Sequence, residues 1–207
     1  MNKIFCVLTT LAVLLLQGCG STSSECAALW NCRNTIKQAT YQWLSFSSSA
    51  SQAQWNSYIH QICNNNQQEL SCARQVGCTN STILTEANIA IGDRNFICSN
   101  LGRQAVLRLR TEDNCIGDPQ AIQAQAGHRE FCYLYRTLIT PGMLPSQICS
   151  IVNSMRVCDV TNGDLSCSDV SAYIIDQLWL VRISQQFSFC YNEAVSRSRG
   201  FPPVSTL

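Results

Sequence analysis

Twelve cysteines follow residue 20: Cys26, Cys32, Cys63, Cys72, Cys78, Cys98, Cys115, Cys132, Cys149, Cys158, Cys167 and Cys190. A thiol can ligate zinc, attack an electrophile or close a disulfide, and spacing separates these uses. Structural zinc and dithiol redox chemistry both draw on Cys-x-x-Cys pairs, and the chain has none. His60 and His128 are its two histidines. A catalytic histidine needs a nucleophile and an orienting carboxylate. Glu130 stands two residues from His128, which on a helix turns it away. The chain has no zinc-protease helix motif, deaminase pattern or glycine-rich phosphate loop. No catalytic residue, cofactor or metal is therefore expected. The even cysteine count instead predicts disulfides, and each set of six allows fifteen connectivities.

The order of the cysteines suggests a repeat. Splitting the twelve into two sixes and subtracting in order gives offsets of 89, 100, 86, 86, 89 and 92 residues. Gln61-Ile62-Cys63 matches Gln147-Ile148-Cys149, and Asn100 follows Cys98 as Asn192 follows Cys190. This reads as a diverged tandem duplication, with a first module at 21–110, a second at 111–196 and a C-terminal tail at 197–207. Arg110 to Asp118 is the expected linker. The paired cysteine ends of saposins and the closely spaced second and third cysteines of insect odorant carriers are both missing.

Residues 1–20 carry Lys3 and then an apolar run from Ile4 to Leu16, with Gly18 and Gly20 before the cut. That is a secretory signal pattern, too short for a membrane span. A second reading takes Leu15-Leu16-Gln17-Gly18-Cys19 as a bacterial lipobox anchored through Cys19. The expected product is secreted and extracellular, with no transmembrane span after processing.

The elements that would hold the cysteines read as helices. Leu29, Cys32, Ile36, Ala39 and Trp43 recur at helical spacing, as do Trp55, Ile59 and Ile62 after a Ser51-x-x-Gln54 capping box. Leu84, Ala87, Ile91, Cys98, Leu101 and Ala105 form a third stripe. Asp118-Pro119 opens a helix that stops near Pro141. A short one carries Leu144 to Met155, and Ser166-x-x-Asp169 opens the strongest stripe, from Val170 to Val181. No segment alternates with period two. The fold class expected is all-α: two tandem disulfide-stapled modules of about three helices each.

Charge narrows the function. Charged residues are 13% of the chain and the net charge is +1. No basic excess exists to displace counterions, so nucleic acid is not an expected partner. The halves differ: residues 21–111 carry +3 and 112–207 carry −3. Arg103, Arg108 and Arg110 end the first half and form a candidate partner contact; the opposed charges read as a solvated joint between the modules, and in a second reading they dock the modules or orient a partner. Asn80-Ser81-Thr82 is an N-glycosylation sequon. Trp30, Tyr41, Trp43, Trp55 and Tyr58 serve as core or as a ligand lining. The expected function is that of a secreted, non-enzymatic binding or extracellular matrix/interaction protein. The alternative is a carrier of a small apolar ligand such as a lipid or sterol.

Overall fold

A computed structural model of the chain describes residues 24–47, 49–64 and 77–203. The signal segment, Cys19 and Cys72 lie outside the described residues. Among those described there are eight α-helices, three short 3-10 turns and no strand. Among the described residues four α-helices fall in each half, where about three are expected.

In the first half, α1 (Ser24–Thr40) buries Cys26, Leu29, Cys32 and Ile36 along one stripe. α2 (Gln52–Asn64) starts at the expected capping box: Ser51 N donates to Gln54 Oε1 at 2.7 Å and Gln54 N to Ser51 Oγ at 3.3 Å. The third stripe is broken. α3 (Ser81–Cys98) ends at Ser99, whose Oγ caps α4 (Asn100–Glu112) by accepting from Gly102 N at 3.0 Å. A side chain at Gly102 would collide with the Phe96 carbonyl, so glycine permits the break.

In the second half, Asp118 caps α5 (Pro119–Tyr133) as expected, accepting from Gln120 N and Ala121 N. α6 (Pro145–Ser166) is one 22-residue helix, not a short one. α7 (Asp169–Gln186) is capped by Ser168, which accepts from Ser171 N at 3.0 Å. The expected cap, Ser166, donates instead to Asn162 Oδ1. α7 is buried on nearly all faces, as a central helix must be. α8 (Tyr191–Ser196) closes the helical order.

One core crosses the boundary between the halves. Trp55, Tyr58, Ile97, Val106 and Leu109 pack with Ile116, Val170, Tyr173 and Ile174. Where α3 meets α7, a side chain at Gly92 would collide with Val181 Cγ1, so glycine sets that close approach. The core of the junction is thus apolar, while at its edge Gln186 Nε2 donates to Glu86 Oε1 at 3.3 Å and Arg108 pairs with Glu112. The ion pairs Arg33–Glu86, Arg129–Asp159 and Arg156–Asp176 each join residues of the same half. The expected linker is a fixed turn: Asp113 Oδ1 accepts from Cys115 N at 2.8 Å and Ile116 N at 3.0 Å. Gly117 completes it at φ 81°, a conformation glycine adopts without a Cβ penalty.

Among the described residues five disulfides clamp the helices. Cys26–Cys78 and Cys63–Cys98 lie in the first half. Cys115–Cys167, Cys132–Cys158 and Cys149–Cys190 lie in the second. By order within each six, the first half pairs one with five and three with six. The second pairs one with five, two with four and three with six. The one-to-five loop spans 52 residues in both. Each such closure stabilises by about 2–4 kcal/mol.

Candidate functional site: a cleft at the junction of the halves

Beside the shared core lies a cleft with two adjoining compartments. The larger, of about 100 Å³, is lined mainly by apolar side chains from both halves, among them Trp43, Leu44, Ile116, Ile122 and Ile174. The smaller, of about 40 Å³, is lined by Asp93, Asp159, Arg182, Tyr133 and Trp179. Tyr41, Arg129, Ile175 and Leu178 line both.

The polar compartment is built on buried carboxylates. Asp159 is 1% exposed, and its Oδ2 accepts from Arg129 Nε at 3.0 Å and Trp179 Nε1 at 2.9 Å. Asp93 is 4% exposed, and its Oδ2 accepts from the Tyr41 hydroxyl at 2.8 Å. Oδ1 of each aspartate is buried with no hydrogen-bond partner. A buried polar atom left so costs about 1–3 kcal/mol. Burial pushes the Asp93 carboxyl up to about 6, against the lowering pull of the Tyr41 hydrogen bond, Arg182 and Lys37. Burial, reinforced by the Asp93 charge, raises the Tyr41 hydroxyl. The Arg182 guanidinium lies over the rings of Tyr133 at 5.3 Å and Trp179 at 5.9 Å. Those two rings stack at 5.2 Å.

Of this compartment's residues the sequence offers Tyr41, as core or ligand lining, and does not single out Asp93, Arg129, Asp159 or Arg182. A signal was present: Asp93 follows Ile89-Ala90-Ile91-Gly92, and Asp159 stands beside Val160. A lone carboxylate inside an apolar run of a helix marks a buried charge that must find partners.

The residues singled out by sequence fall elsewhere. Arg103 and Arg110 are exposed. Arg108 is spent within the chain. It forks onto Glu112 at 2.7 and 2.6 Å and donates to the carbonyls of Pro202 at 2.6 Å and Pro203 at 2.7 Å, so it straps the C-terminal segment to α4. Asn80 is exposed and caps α3. His60 is exposed beside Asn64. His128 Nε2 lies 3.8 Å from Cys158 Sγ. His128 gathers with Cys132 and Cys158, and Asp113 with Cys115 and Cys167, but the sulfurs of both groups are bonded in disulfides. A sulfur so bonded is not the thiolate that a metal requires.

Fold and site define a class: an all-helical, disulfide-clamped protein with a small ligand-sized cleft between its halves. Among the described residues no helix is long and apolar enough to cross a membrane. No family model, no curated protein and no solved structure matches the chain.

Proposed function

We propose that the chain is an exported, non-enzymatic binding protein made of two diverged copies of a six-cysteine helical module. The repeated disulfide order supports the duplication. Fifteen connectivities are open to each six, and the described pairs of the first half recur at the same ordinal positions in the second. Export rests on the signal pattern of residues 1–20, and the disulfides suit an oxidising compartment.

The leading reading is an interaction component that presents a rigid surface to another extracellular or matrix protein. It is carried by the segment 131–144. There Phe131, Leu134, Leu138 and Leu144 are each more than half exposed, a density of apolar surface that marks contact sites. Replacing Leu134 and Leu138 by serine should leave the melting temperature unchanged and abolish cross-linking to an extracellular partner. Undiminished cross-linking would remove this surface from the account.

The junction cleft favours a second reading, a carrier. Its volume suits a ligand smaller than a lipid or sterol, since drug-sized ligands fill about 300–1,000 Å³. Native mass spectrometry of the secreted protein separates the two readings. A stoichiometric small molecule supports the carrier, and a bare chain supports the interaction component.

A further inference from the structure

The polar compartment offers buried acceptors and, beside them, a donor group. Asp93 Oδ1 and Asp159 Oδ1 are buried acceptors with nothing donating to them. Arg182 is held by aromatic faces, and among the described residues nothing accepts from its N–H groups. A guest that quiets both must donate and accept at one small head. Two aspartates and two arginines line the space, so its charges balance and give no net pull on an ion. The 40 Å³ volume is a few times the ~10–15 Å³ that holds one water, so it admits a small polar head. The neighbouring apolar compartment, at about 100 Å³, is of the order of the cavity that holds a single benzene ring, ~150 Å³.

We propose that the cleft binds a small neutral alcohol, with a ring-sized apolar body among Trp43, Ile122 and Ile174 and its hydroxyl between Asp93, Asp159 and Arg182. The proposal rests on the carrier reading. The hydroxyl donates to an aspartate Oδ1 and accepts from the guanidinium. The apolar body removes its surface from water, worth about 25 cal/mol per Å².

The test uses the folded, disulfide-intact protein and four probes that share one ring: benzyl alcohol, toluene, benzylamine and benzoate. Binding is followed by tryptophan fluorescence, since Trp43 and Trp179 line the two compartments, and checked by calorimetry at neutral pH. Benzyl alcohol should bind about tenfold more tightly than toluene, the effect of one net hydrogen bond, and more tightly than either ion. Toluene binding as well as the alcohol, or an ion binding better, overturns the assignment of the head while leaving a carrier. Failure of all four probes overturns the carrier reading as well. Two variants sharpen the result. Asp93→Asn should narrow the preference for alcohol over toluene and leave toluene's affinity unchanged. Ala126→Phe, at an exposed position lining the apolar compartment, should abolish binding of both. An unaltered preference in Asp93→Asn removes Asp93 from the site, and unaltered binding in Ala126→Phe overturns the location.

Discussion

Asp113, in the turn that joins the halves, accepts a hydrogen bond from Ser168 Oγ at 2.9 Å, 55 residues further along the chain. The same Oδ2 takes the Ser171 hydroxyl, while Oδ1 holds the N–H groups of Cys115 and Ile116. One carboxylate therefore ties the connection between the halves to the start of α7. Asp113→Ala strips all four donors at once. It should lower stability by about 1.5–3 kcal/mol, the range for hydrogen bonds to a charged group, as read in urea unfolding. Asp113→Asn keeps one carbonyl oxygen and should lose less. A loss below about 0.5 kcal/mol for the alanine would show that the turn holds without it.

Arg156 is the corresponding anchor in the second half. Its guanidinium pairs with Asp176 at 2.6 Å and donates to the Ala194 carbonyl at 2.7 Å and the Arg197 carbonyl at 3.0 Å. Both charged side chains are nearly fully buried. Arg156→Met leaves the Asp176 charge uncompensated and should cost about 3–5 kcal/mol. The double variant Arg156→Met, Asp176→Leu should recover part of that loss. A double variant less stable than the single would contradict a desolvation cost as the cause.

Asp93 gives a pH dependence of unusual sign. The folded protein holds the Asp93 proton up to about 6, above the ordinary 3.8. Between those pH values the folded state binds more protons than the unfolded chain, so stability falls as pH rises from about 4 to about 6 and is flat above. The full span is worth about 3 kcal/mol. Tyr41, Arg182, Lys37 and Glu86 are the groups that act on this carboxyl. Asp93→Asn removes its contribution, so the difference in unfolding free energy between wild type and variant should change across that window. A constant difference would show that Asp93 titrates normally.

A glycan on Asn80 would not conflict with its capping role. Its Oδ1 caps α3 by accepting from Thr82 N and Ile83 N, each at 3.1 Å, and a glycan would join the other atom, Nδ2. Thr82→Ala should remove a glycan from protein secreted by eukaryotic cells, seen as a fall in intact mass, with stability unchanged. Asn80→Ala should remove both and cost about 1 kcal/mol for the lost cap. Equal masses for wild type and Thr82→Ala would rule out glycosylation at this site.

Much of the helical layout was legible because its signals are local. Ser51-x-x-Gln54 and Asp118-Pro119 cap helices where the sequence places them. Errors arose where a distant partner decides. The apolar stripe of α6 is interrupted by Arg156 and Asp159, yet the helix continues because Asp176 and Trp179 of α7 satisfy those charges. The stripe through Cys98 and Leu101 reads as one helix, but the Ser99 hydroxyl caps the next helix and splits the stripe in two. The opposed charges of the halves read as a solvated joint or as electrostatic docking, whereas an apolar core joins them. Beyond the aromatics Tyr41 and Trp43 the cleft was illegible for the same reason: Tyr41, Asp93, Asp159 and Arg182 come from four separate segments, and only tertiary packing brings them together.

The central claim is that two copies of one six-cysteine module make this protein. The second half pairs its cysteines one to five, two to four and three to six. In the first half the positions two and four are Cys32 and Cys72, so the duplication predicts a bond between them. Proteolysis of the unreduced protein and mass spectrometry of the linked peptides test it directly. The account predicts a Cys32–Cys72 peptide together with Cys26–Cys78 and Cys63–Cys98. Cys32 or Cys72 joined to any other cysteine, or both recovered as thiols, would contradict it.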